Sequence, residues 1–131
     1  LPDAAPLSSP TPVAAQEAGT DAIIPEVVDK ARAFLTLLDE SRWADAYQET
    51  GSGFRKLNSL ALWTQVSEKV RAPLGVGQSR TLLSQQNLPA PPDGYEVVKF
   101  RTRFASKGET VETVTLEREG DQWRIVAVLV G

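Results

Sequence analysis

Apolar residues recur at steps of three and four along the first half of the chain and at steps of two along the second, the change falling near Gly77. From Pro25 to Glu40, Val27, Val28, Ala31, Phe34, Leu35 and Leu38 share one helical face, with Glu26, Asp29, Lys30 and Arg32 between them. This spacing predicts an amphipathic helix, with Pro25 suited to its first turn because the missing N–H has no intrahelical partner there. Ser41 is placed to cap a short second helix carrying Trp43, Ala44 and Tyr47, ending before Gly51 and Gly53. A third helix is expected from an N-cap at Ser59 through Leu60, Trp63, Val66 and Val70, stopping ahead of Pro73 and Gly75.

Beyond Gly77 the segments 78–88, 95–105, 109–118 and 122–130 are rich in Val, Thr, Phe, Tyr and Trp and read as four strands. The run PAPPDG at 89–94 is a rigid turn between the first two. Helices grouped first and antiparallel strands last predict an α+β fold, with three N-terminal helices packed on one face of a four-stranded antiparallel sheet.

The hairpin registers decide which face is buried. Gly120-Asp121 suits a two-residue turn that pairs Glu119 with Gln122, Glu117 with Arg124 and Leu116 with Ile125. A two-residue loop at Lys107-Gly108 would put Phe100 and Phe104 on the opposite face from Leu116, Trp123 and Ile125. A three-residue loop, Ser106-Lys107-Gly108 with Gly108 left-handed, pairs Phe100 with Val114 and Val98 with Leu116 and sorts the apolar residues onto one side. The expected core face is then Val98, Phe100, Phe104, Val114, Leu116, Trp123, Ile125 and Leu129. The outer face carries Lys99, Arg101, Arg103, Thr113, Thr115, Glu117 and Arg124, joined by a stripe of Val126, Val128 and Val130.

Composition divides the chain. Residues 1–20 hold Pro2, Pro6, Pro10 and Pro12, many Ala and Ser, and no aromatic. Small side chains bury too little to offset the entropy of ordering them, so 1–21 is expected to be a disordered linker and 22–131 a single domain. With no Met in the chain and Leu1 as its first residue, a signal peptide, lipid anchor or membrane helix is expected upstream, and with it a periplasmic or secreted location.

The chain has no His and no Cys. That excludes Ser-His and Cys-His nucleophile pairs, thiolate or imidazole zinc sites, disulfides and histidine switches, so no metal and no cofactor are expected. Carboxylate and phenol chemistry are left. From residue 21 onward 14 bases face 15 acids, without the basic footprint of a nucleic-acid binder. No run of eighteen apolar residues exists to span a membrane.

The register points Glu112 toward the core face, where a buried carboxylate requires a partner; Arg71 or Arg80 is the candidate. With Tyr47 these form the candidate ligand-pocket set, Asp39 being weaker at its helix end. The competing reading is a structural ion pair. Arg71, ahead of Pro73 and Gly75, either clamps an anion or complements its helix dipole. Lys99, Arg101 and Arg103 form a basic row for an acidic partner or an anionic lipid surface, or else a solvated face, and Val126, Val128 and Val130 suggest a homodimer through the sheet.

Several stretches together resemble a known family: AFLTLLDESRW at 33–43, LALWTQVSEKVRAPLG at 60–75 followed by Arg80, LPAPPDGYEVVKF at 88–100, and ETVTLEREGDQWRIVAV at 112–128. They are similar to the uncharacterised bacterial domain of unknown function 4019 family, over about residues 26–129. The resemblance implies a cystatin-like or NTF2-like fold in exported proteins, some membrane-tethered or fused to a regulator, and implies no established activity. The leading expectation is a non-catalytic module that binds a protein or small-molecule ligand. A small isomerase or dehydratase using carboxylate and Tyr chemistry, and a periplasmic sensory domain, are the alternatives.

Overall fold

A computed structural model describes residues 22–131, so the linker expected at 1–21 lies outside the described residues. Helix α1 spans Pro25–Asp39 and buries the six apolar residues that the spacing selects, Val27 through Leu38. It ends in a left-handed residue, Ser41 at φ 57°. The Arg42 N–H reaches back to the Leu37 carbonyl at 2.9 Å and the Ser41 N–H to that of Leu38 at 3.1 Å. These are the two bonds of a Schellman termination, so Ser41 closes α1 rather than capping the next helix as expected.

Helix α2, Trp43–Gln48, is followed by a second short helix, α3, over Ser52–Leu57, so four α-helices are described rather than the expected three. The glycines read locally as breakers, but Gly51 is extended at the N-cap position. Glu119, at the far end of the sheet, accepts a hydrogen bond from the Ser52 N–H at 3.0 Å. An orphan donor of α3 is thus satisfied from sixty-seven positions away, a signal no local window contains.

Helix α4 spans Leu60–Arg71, and the Ser59 hydroxyl accepts the Leu62 N–H at 3.1 Å as a side-chain N-cap. Its buried stripe is Trp63, Ser67 and Arg71. Leu62, Val66 and Val70 are turned outward, each more than two-fifths exposed. A 3-10 turn at Ala72–Leu74 carries Pro73, and Gly75 leaves it at φ +79°.

Strands β1 (Gly77–Leu88), β2 (Tyr95–Phe104), β3 (Gly108–Glu119) and β4 (Gln122–Val130) form one antiparallel sheet in chain order. The β2–β3 loop has three residues, as expected, but they are Ala105, Ser106 and Lys107: Phe104 pairs with Gly108, Phe100 with Glu112 and Val98 with Val114. Gly108 is left-handed at φ +86°. The loop shifts because the Ala105 N–H bonds the Val76 carbonyl and those of Ser106 and Lys107 bond Leu74, drawing this stretch toward the turn before β1. Each partner moves by two positions, so every side chain stays on its expected face.

On β4 the expectation holds to Ile125 and then fails. An irregularity makes Val126 an extra residue, after which Ala127 pairs with Thr115, Val128 with Val114 and Val130 with Glu112. A bulge reverses the alternation. Val128 therefore packs toward the core and Leu129, expected inside, is 68% exposed. The valine stripe expected on the outer face is lost to it for the same reason.

The core lies between α1 and the inner face of β2–β4, with Val27, Ala31, Phe34, Leu35, Val98, Phe100, Val114 and Leu116 all at 1% exposure or less. Trp63 joins it from α4, 6.0 Å from the Phe34 ring and 5.7 Å, edge to face, from Phe54. Its Nε1–H donates to the Trp43 carbonyl at 2.8 Å. Trp43 and Trp123 are half-buried against the same cluster, Trp123 less deeply than its expected core position.

Candidate functional site

Four charges meet beneath the ends of α1 and α4. Asp39 is the last residue of α1, Arg71 the last of α4, Arg80 lies on β1 and Glu112 on β3. Glu112 is fully buried. Arg80 donates from Nε to Glu112 Oε1 at 2.8 Å, and from Nη1 and Nη2 to the two Asp39 oxygens at 2.9 and 3.1 Å. Thr102, inward from β2, donates its hydroxyl to the same Glu112 oxygen at 2.5 Å. Arg71 Nη1 stands 2.9 Å from Glu112 Oε2, while its Nη2 reaches Asp39 Oδ1 at 3.4 Å. The Arg71–Glu112 contact lies outside hydrogen-bond geometry and leaves both atoms without such a bond. They attract as charges without a shared proton direction.

The cluster contains two positive and two negative groups and has no net charge. Burial alone would lower the Arg80 pKa, but hydrogen bonds and attraction from Asp39 and Glu112 outweigh it and hold the guanidinium above its ordinary value. Arg71 also lies over the Phe104 ring, 5.3 Å from its centre. A Cβ on Gly77 would sit 2.9 Å from Asp39 Oδ1 and 3.1 Å from Arg80 Nη2, so a side chain there would collide with the ion pair.

Two concave surfaces flank this cluster. A cleft of about 360 Å³ opens over Asp39 and Arg71, walled by Trp43, Glu68 and Gly75. A larger groove of about 640 Å³ runs between α4 and β4. Leu62, Val66 and Val70 form one wall and Val126–Val130 the other, with Trp63 and Phe54 beneath and Arg71 its sole charged lining residue.

Three of the four candidate ligand-pocket residues, Arg71, Arg80 and Glu112, are thus brought together. Tyr47 is not: its hydroxyl donates to the Asn58 carbonyl at 2.7 Å and the Arg55 carbonyl at 3.3 Å, closing the end of α3. Asp39, weighed as the weaker candidate, is a full member, and its position four residues after Leu35 marks the buried face of α1. Thr102 was legible too, alternating with Phe100 and Phe104 on β2.

The basic row stands apart. Lys99, Arg101 and Arg103 are exposed on the face of the sheet opposite the core, and Arg103 approaches Glu109 at 4.0 Å. Val126, Val128 and Val130 line the groove instead of joining that row. A second polar cluster, Gln85, Glu96 and Asn87, fastens the start of α1: Gln85 accepts the Ile24 N–H at 2.7 Å and donates to Glu96 at 3.1 Å. Among the described residues no group of three or more His, Cys, Asp or Glu is placed to hold a metal, and no helix is long and apolar enough to cross a membrane.

The family model for "Protein of unknown function (DUF4019)" matches residues 30–127. No curated protein matches the chain. The match takes in all four helices but the first turns of α1, and the sheet almost to its end. The chain belongs to the DUF4019 family.

Proposed function

With family membership as the premise, we propose that this chain is a non-catalytic binding module whose binding surface is the groove between α4 and β4. One observation carries the reading: the larger of the two concave surfaces beside the cluster is apolar along both walls, and its one charged residue, Arg71, is already engaged by Glu112 and Asp39. Acid–base catalysis requires a carboxylate or phenol with a free proton position facing a substrate. Glu112 instead has both oxygens against arginines, and the Tyr47 hydroxyl is committed to two carbonyls. Phe34 and Trp63 fill the space between helices and sheet where a deep pocket would lie.

The order of elements, helices first and then a four-stranded antiparallel sheet packed against α1, supports a cystatin-like or NTF2-like assignment. The Ala, Pro and Ser of residues 1–20 support a tether between this domain and an export or anchoring signal, and so a periplasmic or secreted site of action. Sequencing the gene upstream of the Leu1 codon tests that half of the proposal.

The groove is tested with an environment-sensitive apolar dye, anilinonaphthalene sulfonate. The native protein should bind about one equivalent with a fluorescence increase, and Val66→Glu/Val70→Glu should abolish it. Both positions are 48% exposed, so the variant should keep its melting temperature within about 4 °C, the shift of a surface change of ~0.5 kcal/mol per site. Dye binding that survives the double substitution would place the apolar surface elsewhere and remove the basis of the reading.

A further inference from the structure

The groove has a wall of unusual kind. Five consecutive β4 residues, Val126 to Val130, line it, which happens only when the groove runs along the open edge of the strand. Among the described residues β4 is the last strand of the sheet, paired on one side with β3 alone. Among the described residues its other side is covered only at the start, where Glu49–Gly51 makes a single parallel bridge at Ile125, with the Ile125 N–H on Glu49 and the Ile125 carbonyl on Gly51.

Past the bulge no described residue pairs with this edge. The Gly131 N–H bonds the Val111 carbonyl, so by antiparallel alternation Leu129 and Ala127 exchange hydrogen bonds with β3. The N–H and C=O groups of Val128 and Val130 then point away from the sheet, into the groove mouth. Edge strands are ordinarily protected by charge, proline or a covering segment. From Ile125 to Gly131 this edge has neither a charged residue nor a proline. Above it stand Leu62, Val66 and Val70, the apolar face that α4 turns away from its own core.

We propose that this edge takes an extended segment of a partner protein as a fifth strand, with apolar residues at alternate positions. The inference rests on the groove being the binding surface. Side chains opposite Val128 and Val130 would lie on the helix side of the sheet, as Val128 and Val130 do, and so pack beneath Val66 and Val70. Residues between them would face outward beside Ala127 and Leu129. An uncharged apolar-x-apolar motif is therefore selected, because the groove's one cation is already paired within the fold.

Volume favours a segment over a folded domain. Five strand residues span about 17 Å, and a groove of about 640 Å³ along them has room between its walls for one extended segment and none for a folded domain.

The test uses the full chain and a synthetic peptide of alternating Val and Thr, nine residues long with Lys at each end, followed by amide hydrogen exchange. Saturation should slow the Val128 and Val130 amides at least about tenfold and leave those of Ala127 and Leu129, already paired with β3, little changed. A peptide N-methylated at alternate residues should not bind, and Val70→Glu should weaken binding at unchanged melting temperature. Binding without slowed exchange at Val128 and Val130 overturns strand addition while leaving the groove reading standing. Exchange already slow before peptide is added also overturns it: a concentration-dependent effect would mean a second copy, and a concentration-independent one the chain's own segment.

Discussion

Replacing Glu112 by Gln keeps the shape of a fully buried side chain and removes its charge, leaving Arg71 and Arg80 with Asp39 alone. The buried cluster would then carry one uncompensated positive charge. Arg71, Arg80 and Glu112 are 8%, 9% and 0% exposed in their side chains, so water screens this imbalance little. Breaking a buried pair by removing one partner ordinarily costs ~3–5 kcal/mol. The amide can still accept from Arg80 Nε and Thr102 but adds N–H donors facing a guanidinium, so the upper part of that range is expected. Against a total stability of ~5–15 kcal/mol, Glu112→Gln should unfold a large fraction of the protein or lower its melting temperature by about 16–20 °C.

The assay is urea unfolding followed by tryptophan fluorescence, with the slope checked for constancy so that the midpoint reports stability. A second variant separates charge imbalance from lost packing. Glu112→Gln with Arg71→Met removes one charge of each sign and leaves the doubly bonded Arg80–Asp39 pair intact. If uncompensated charge dominates, the double variant should be more stable than Glu112→Gln alone by at least about 1 kcal/mol, a non-additivity of the size that contacting residues show. A Glu112→Gln loss below ~1 kcal/mol, or strict additivity, would refute the view that this cluster acts as one electrostatic unit.

Two further outcomes follow from particular contacts. Gly77→Ala should destabilise by about 1–3 kcal/mol in the same urea assay, since its Cβ would fall 2.9 Å from Asp39 Oδ1 and must displace a bonded carboxylate rather than a free chain end. Glu119 is held below the ordinary carboxylate range by hydrogen bonds from Ser52. A depressed folded pKa adds stability above the unfolded pKa and loses it as pH falls through the folded value. The stability difference between wild type and Glu119→Gln should therefore be constant from neutral pH to about 5 and vanish below the carboxylate range, which unfolding curves at a series of pH values will reveal. Arg80 has the opposite sign: its raised pKa contributes fully at every pH below its ordinary value, so it adds no pH dependence in this window.

How far the chain announces this arrangement depends on the range of the interactions involved. The buried face of α1 was legible residue by residue, because burial there follows a 3.6-residue period along contiguous sequence. The faces of β2 and β3 were legible although the pairing was misjudged by two positions, since only an odd slip changes faces. The convergence of Arg71, Arg80 and Glu112 followed from one rule, that an inward carboxylate must be neutralised. Three features were out of reach for a common reason. The start of α3 depends on Glu119, the β2–β3 loop position on Leu74 and Val76, and the reversal of β4 on a bulge; each is decided by partners remote from the residues it moves or by backbone geometry that side-chain type does not encode.

The bulge matters most for function, because it explains why the same valines suggested one role in the sequence and occupy another in the fold. Read with unbroken alternation, Val126, Val128 and Val130 belong to the outer sheet face beside Lys99, Arg101 and Arg103, and the natural inference is association through that face. With one extra residue at Val126, Val128 and Val130 turn to the helix side and meet the outward stripe of α4. That stripe had its own signal, for Leu62, Val66 and Val70 lie on a different helical face from Trp63, Ser67 and Arg71. A helix burying an arginine while exposing three aliphatics spends its apolar face on something other than its own core. The two anomalies lie on opposite walls of one groove, and each is needed for the other to form a binding surface.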